Sequence, residues 1–446
     1  MRIKLAYGKT GLGVVLPDGL NIDIAEPTFV EAKADQAGAL RDALQKPVAS
    51  KPLKALVKPA DKVAIVFNDI TRPTPYQIIL PVLLNELNDV PDNQVVLINA
   101  TGTHRANTEA ELREMLGDQI VEKYRVIQND AKDDKSHLSV GKTNCGNDIK
   151  ILRDYLECDV KILTGFIEPH FFAGFSGGGK AVMPGLAHLD TVLQNHGPNN
   201  IDHPKASWGI TEGNPIWEDI REAALITSPT FLLNVTLNRD KQITNVFAGD
   251  FEKAHAKGCA FVKKHAMIPV KQKYDIVITS NSGHPSDLNL YQSVKGMSAA
   301  SEIVKNGGSI IIAADCWDGI PNHGKFGKLL LDADNPKSLL ETIRCPGFSE
   351  QDTWQAQIQA LICQKADVYF YSRNLTDEQI KAALLSPCHN IEETVSVLLE
   401  KYGKRASICV LPEGPQTIAY ISDDDCYRQL PNSVDSTRGT QKTRPE

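Results

Sequence analysis

YDIVITSNSGHPSDLNLYQSVKGMSAASEIVKNGGSIIIAADC, residues 274–316, reads as a strand, a helix and a second strand in direct succession. Its ends, YDIVITSN at 274–281 and SIIIAADC at 309–316, are continuous β-branched runs rather than alternating ones. Strands of that composition are covered on both faces. The middle opens a helix on which Tyr291 and Lys295, four apart, share one face, with Gln292 beside them. Similar runs recur at 62–67 (KVAIVF), 94–100 (QVVLINA), 159–166 (DVKILTGF), 231–238 (FLLNVTLN), 368–372 (VYFYS) and 406–414 (ASICVLPEG). Helical segments separate them, two announced by capping-box spacing at Thr108/Glu111 and Thr376/Gln379. The expected fold class is therefore α/β: two α/β domains with largely parallel sheets and an active site at the domain interface.

A helical stretch at 250–267 ends in MIPVKQ before the pattern restarts at Tyr274, which puts the boundary near 268–273. The expected division is residues 1–270, residues 271–422 and a polar tail, 423–446, with too few apolar residues to pack as a layer.

The 446 residues are 42% apolar and 23% charged, which excludes long disorder, collagen and coiled coil. Lys and Arg total 48 against 55 Asp and Glu, a net charge of −7 with no basic block, so neither nucleic acid nor an anionic membrane is an expected partner. The 9 cysteines are scattered and never spaced C-x-x-C, which argues against a disulfide framework or zinc ribbon and fits a reducing compartment. MRIKLAYGKTGLGVVLPDGL at the start has no apolar core of a signal peptide. A cytoplasmic location is expected.

Chemistry concentrates in PHFFAGFSGGGKAVMPGLA, 169–187. Gly177, Gly178 and Gly179, after Ser176, offer backbone N–H groups that could cradle an anion. Gly174 to Lys180 even satisfies the start of a P-loop, but Ala181 stands where Ser or Thr would hold magnesium, and the preceding strand ends too early. Three histidines stand in loops: His104 in TGTHRANT, His170 in EPHFF and His196 in LQNHGP. A lone loop histidine is usually solvated, yet His104 and His170 both lie just beyond strand ends, where ligand sites of open α/β sheets collect. NDITRPTP supplies Asp69, Thr71 and Arg72 in a third such loop; the bland alternative is a local Asp69–Arg72 ion pair. Trp354 is a stacking platform or a core anchor. His203, His255, His265, His284, His323 and His389 show no H-x-x-x-H spacing, so a protein-only zinc site is not supported.

Taken together, D-x-T-R-P at 69–73, G-T-H-R at 102–105, P-H-x-F-A-G-F-S-G-G at 169–178 with Lys180, N-H-G at 195–197 and L-Y-Q-x-x-K-G at 290–296 resemble the nickel-pincer lactate racemase family over about residues 1–415. The resemblance implies a nickel pincer nucleotide, a pyridinium mononucleotide with two sulfur-containing arms, attached through a thioamide to Lys180. It implies that His196 is the protein's nickel ligand and that the remaining donors come from the cofactor, consistent with the missing multi-histidine site. His104 and His170 match the acid/base pair, and Arg72, Gln292 and Lys295 the substrate-binding residues. Asp69, Thr71, Tyr291, Ser176, Gly177, Gly178 and Trp354 match neighbouring cofactor or substrate contacts. The implied reaction interconverts D- and L-2-hydroxy acids by removing and returning hydride through a 2-keto acid. That route avoids taking a proton from a carbon beside a carboxylate. The first domain would bind cofactor, the second cap the substrate, and cofactor-biosynthesis proteins would be maturation partners. Phe171 and Phe172 adjoin His170 and could restrict the substrate side chain. A racemase or epimerase of a 2-hydroxy acid other than lactate, a P-loop phosphotransferase and a non-catalytic cofactor carrier are the alternatives.

Overall fold

The computed structural model describes residues 1–421 apart from Phe29 and His323. The polar tail at 423–446, with Cys426, lies outside the described residues, as does His323. Two six-stranded sheets organise the chain.

The first sheet runs edge to edge through Ile243–Gly249, Phe231–Leu237, Val160–Phe166, Val63–Asn68, Val95–Ala100 and Arg125–Gln128. All pairs are parallel except Phe231–Leu237 with Ile243–Gly249, a hairpin that adds an antiparallel edge. The second sheet, all parallel, runs Ser386–Pro387, Asp367–Tyr371, Val304–Ala313, Tyr274–Ser280, Ser407–Leu411 and Asn21–Ile24. Its last strand comes from the N-terminus. Residues 21–24, expected in the first unit, hydrogen-bond to 407–410 of the second, and the preceding hairpin packs Leu5, Val14 and Leu16 on Ile276, Ile408 and Val410. Asn21–Ile24 is mostly exposed, so its sequence carries little apolar signal of where it pairs.

The continuous runs are buried as their composition requires; Val63 to Phe67 and Ile310 to Ala313 are fully enclosed. Both capping boxes form, and Leu290–Ser301 is a helix capped by the Asn289 side chain. The units are joined by parallel pairing of Met267–Val270 with Ile418–Ile421, by Trp208 Nε1 donating to Ser298 Oγ at 3.1 Å and by a two-pronged ion pair of Arg344 with Asp202. Among the described residues no helix is long and apolar enough to cross a membrane.

In each sheet the connections reverse direction at one strand, Val63–Asn68 in the first and Tyr274–Ser280 in the second. A crevice opens beyond the carboxyl end of such a strand because the loops on its two sides diverge. Loops from both crevices border one cavity of about 750 Å³, including Asp69 to Arg72 and Glu168 to His170 from the first sheet and Asn281, His284 and Glu413 from the second.

Candidate active site

The large cavity continues into a recess of about 120 Å³ bordered by Arg72, His104, His170, Ser176, Gly177, Lys180, His196, Gln292, Lys295 and Trp354. Asp69 and Tyr291 border both spaces, whereas Thr71 borders only the larger.

Asp69, 4% exposed, is held by the Thr71 hydroxyl at 2.6 Å and by His104 Nδ1 at 2.5 Å. The bland alternative, an Asp69–Arg72 side-chain ion pair, is not present among the described residues: Arg72 N–H donates to the Asp69 carbonyl at 3.1 Å, and Arg72 Nη1 donates to Thr71 Oγ1 at 3.2 Å. Burial alone would raise the Asp69 carboxyl, but His104, Arg72 and the Thr71 hydroxyl outweigh it and hold it at about 2. A depressed carboxyl stabilises the fold fully above its unfolded value near 4, and that stability is lost as pH falls through about 2. Asp69→Asn removes this dependence, so the stability gap between wild type and variant is expected to shrink by about 2 kcal/mol from pH ~5 to ~2, read by urea unfolding. A gap independent of pH would contradict the assignment.

The two histidines carry their ring protons differently. His104 donates from Nδ1 to Asp69, and its Nε2 has no protein partner among the described residues; His170 accepts the Ala173 N–H on Nδ1 at 3.2 Å, which puts its proton on Nε2. Burial, then Lys180, Lys295 and Arg72, push His170 well below the ordinary histidine range, so it rests neutral.

His196 caps the helix Leu189–Asn195 and sits between Phe172 and Trp354, with ring centroids 4.9 and 5.0 Å away. Its Nδ1 is buried with no hydrogen-bond partner, and burial and Lys180 hold the ring neutral. A neutral, unpartnered imidazole nitrogen is what a metal ligand requires. Among the described residues no group of three His, Cys, Asp or Glu could hold an ion, so a metal here would need donors from a bound group. Lys180 Nζ lies 5.6 Å from the Phe172 ring centroid, and burial with Arg72 and Lys295 lowers it to about 7. An amine of that kind is a nucleophile near neutrality. These residues fit a lysine-tethered, metal-bearing group.

Of the three glycines, Gly177 borders the recess, while the Gly178 N–H is already taken within the protein. Gly178 N–H donates to Asn234 Oδ1 at 2.9 Å, and a side chain at Gly178 would strike the His255 ring, which itself donates to Ser176 O at 2.8 Å. Gly178 is therefore a packing residue. The segment that follows is the short 3₁₀ turn Gly178–Ala181 rather than the helix a P-loop requires. Trp354 is a wall of the site, 4% exposed and donating to the Tyr291 hydroxyl at 3.3 Å.

Glu168 also borders the cavity and was not singled out in sequence. Its position two residues past the strand Val160–Phe166 was the available signal.

A two-domain α/β fold whose facing crevices gather three histidines, the Arg72 guanidinium and two lysines each lowered to about 7 has the makeup of an enzyme site. Family models for the lactate racemase N-terminal and C-terminal domains match residues 7–209 and 270–419. A lactate racemase of Thermoanaerobacterium thermosaccharolyticum is 36% identical over 421 residues, covering 93% of this chain and 98% of that one. Another from Lactiplantibacillus plantarum is 37% identical over 394 residues, covering 88% and 92%. The solved T. thermosaccharolyticum lactate racemase apoprotein superposes with a TM-score of 0.88 at 35% identity, covering 94% of this chain and all of that one. A Thermotoga maritima protein shares the fold at a TM-score of 0.67 and 18% identity, covering 88% of this chain. This chain belongs to the lactate racemase family, a family of isomerases.

Proposed function

We propose that this chain interconverts the D and L forms of a small 2-hydroxy acid, with lactate as the type substrate, using a nickel pincer nucleotide tethered to Lys180 and with nickel held by His196. The observation that carries the reading is the convergence of His104 and His170 on one recess with Lys180, His196, Arg72 and Lys295. When bound, the nucleotide supplies a hydride acceptor and donor, so the substrate passes through the 2-keto acid instead of a carbanion.

The protein's part is positioning and proton transfer. Arg72 offers a planar fork, and Lys295 a point charge, to the substrate carboxylate and to the charge developing on its oxygen. Gln292 lies on the same helix turn, its side chain without a hydrogen bond among the described residues and bordering both spaces. His104 Nε2 takes the hydroxyl proton of one enantiomer while Asp69 steadies the imidazolium. His170 serves the other enantiomer, whose hydroxyl occupies the opposite side. Phe171, Phe172 and Trp354 give the recess apolar walls. Maturation would take place in the cytoplasm with the proteins that build the cofactor.

Protein made in a host able to synthesise the pincer nucleotide is expected to carry the adduct on Lys180, located by intact mass and peptide mapping, and to racemise lactate or another 2-hydroxy acid by chiral chromatography. Unmodified Lys180 in a host that loads a lactate racemase relative would overturn the tether. A loaded chain inert toward a broad 2-hydroxy acid panel would be a carrier instead.

A further inference from the structure

Lys180 and Lys295 share a recess, burial and a neighbouring guanidinium, Arg72, and both are lowered to about 7. The proposed chemistry asks opposite things of them: Lys180 must be an amine to join a cofactor, and Lys295 an ammonium to hold a carboxylate. One feature separates their surroundings. Lys295 borders the large cavity together with Glu168, whereas Lys180 borders only the smaller recess, which Glu168 does not line; correspondingly Glu168 and Asp69 favour the Lys295 ammonium and no carboxylate does so for Lys180.

Asp69 is already committed to His104 and Thr71. Glu168 is not. Its backbone is pinned on both sides by Ser176, whose Oγ accepts the Glu168 N–H at 2.9 Å and whose N–H donates to the Glu168 carbonyl at 2.9 Å. The carboxyl is half-buried, borders the large cavity with Arg72, His170 and Lys295, and has no hydrogen-bond donor among the described residues; burial raises it, and Lys295 and then Arg72 pull it back toward the ionised form. The other groups around Lys295 do not take its place. Tyr291, one turn earlier on the same helix, is held neutral by burial; Asp352, at the start of the packed helix Thr353–Lys365, acts on Tyr291; and Glu413, in the turn packed on the same helix, answers to Arg239.

We propose that Glu168 is the counter-ion that keeps Lys295 an ammonium in the cleft while leaving Lys180 free to be an amine, a positioning residue for capture of the substrate carboxylate. The inference rests on the roles assigned to the two lysines above.

Competitive labelling of the apoprotein with acetic anhydride across pH, read by peptide mass spectrometry, tests it without cofactor or turnover. In the wild-type chain Lys295 is expected to half-label at a higher pH than Lys180; the reverse order overturns the proposal with no variant needed. In Glu168→Gln the Lys295 midpoint should fall by roughly one unit, a tenfold change in its amine fraction, while that of Lys180 holds or rises slightly. Glu168→Asp, with a shorter reach, should lie between. A Lys295 midpoint unmoved by Glu168→Gln, or both lysines falling together, would refute the counter-ion role. In the loaded enzyme Glu168→Gln should raise KM several-fold at alkaline pH and converge with wild type as acid restores the ammonium, with kcat less affected; a loss equal at every pH overturns the positioning role. A chain that does not racemise yet shows the Lys295 shift would sink the proposed function and leave the counter-ion standing.

Discussion

Alanine at His104 or at His170 is expected to slow racemisation by about 10²–10⁴-fold, the range general acid–base groups supply, in protein that still carries its adduct on Lys180. Both rings border the recess, and neither duplicates the other. His104 is backed by Asp69 at 2.5 Å through Nδ1, whereas His170 is an Nε2–H donor fixed by the Ala173 N–H. Racemisation needs proton transfer on both sides of the substrate, so losing either histidine blocks both directions at equilibrium. A half-reaction on one enantiomer can survive. Single-turnover experiments with each enantiomer would therefore separate the two roles: each variant should retain 2-keto acid formation from one enantiomer only. Chiral chromatography of lactate incubations reads the overall loss, and either variant racemising at the wild-type rate would remove its histidine from the mechanism.

His196→Ala is expected to abolish nickel retention while leaving the Lys180 adduct in place. The argument is one of donors: no group of three His, Cys, Asp or Glu is gathered among the described residues, and of the three imidazoles bordering the recess His104 is engaged by Asp69 and His170 by the Ala173 N–H, whereas His196 keeps an unpartnered Nδ1 beside Phe172 and Trp354. The ring is held neutral, and its Nδ1 has no competing partner. Its removal leaves the tethered group with only its own donors. Elemental analysis after desalting reads the metal, and intact mass reads the adduct. Nickel retained at the wild-type level would place the ligand elsewhere.

Much of the architecture was legible because buried parallel strands announce themselves. KVAIVF, DVKILTGF and SIIIAADC have no polar face to expose, and all three became central strands of the sheets. The edge elements were not legible in the same way. Asn21–Ile24 is mostly exposed, and nothing local records that it would cross to the sheet of residues 407–411. The site followed a similar division. Asp69, Arg72, His104 and His170 stood out because each follows a strand end, but the Asp69 partner depends on a contact between residues 35 apart in sequence. The triple glycine looked like a cradle, because local sequence cannot show that Asn234 would reach across to take the Gly178 N–H.

By itself the sequence determined the layered α/β fold, the recurring motifs that identify the family and the kinds of chemical group available. Those properties are local: strand burial follows from runs of β-branched residues, and each motif is a short stretch with its own geometry. Only the tertiary structure decided which groups share a recess, which of the histidines stands on Asp69, and which of two similarly buried lysines shares the large cavity with Glu168. The physical reason is that protonation and hydrogen bonding depend on distance and burial in space, and these are set by loops from two sheets meeting at their carboxyl ends.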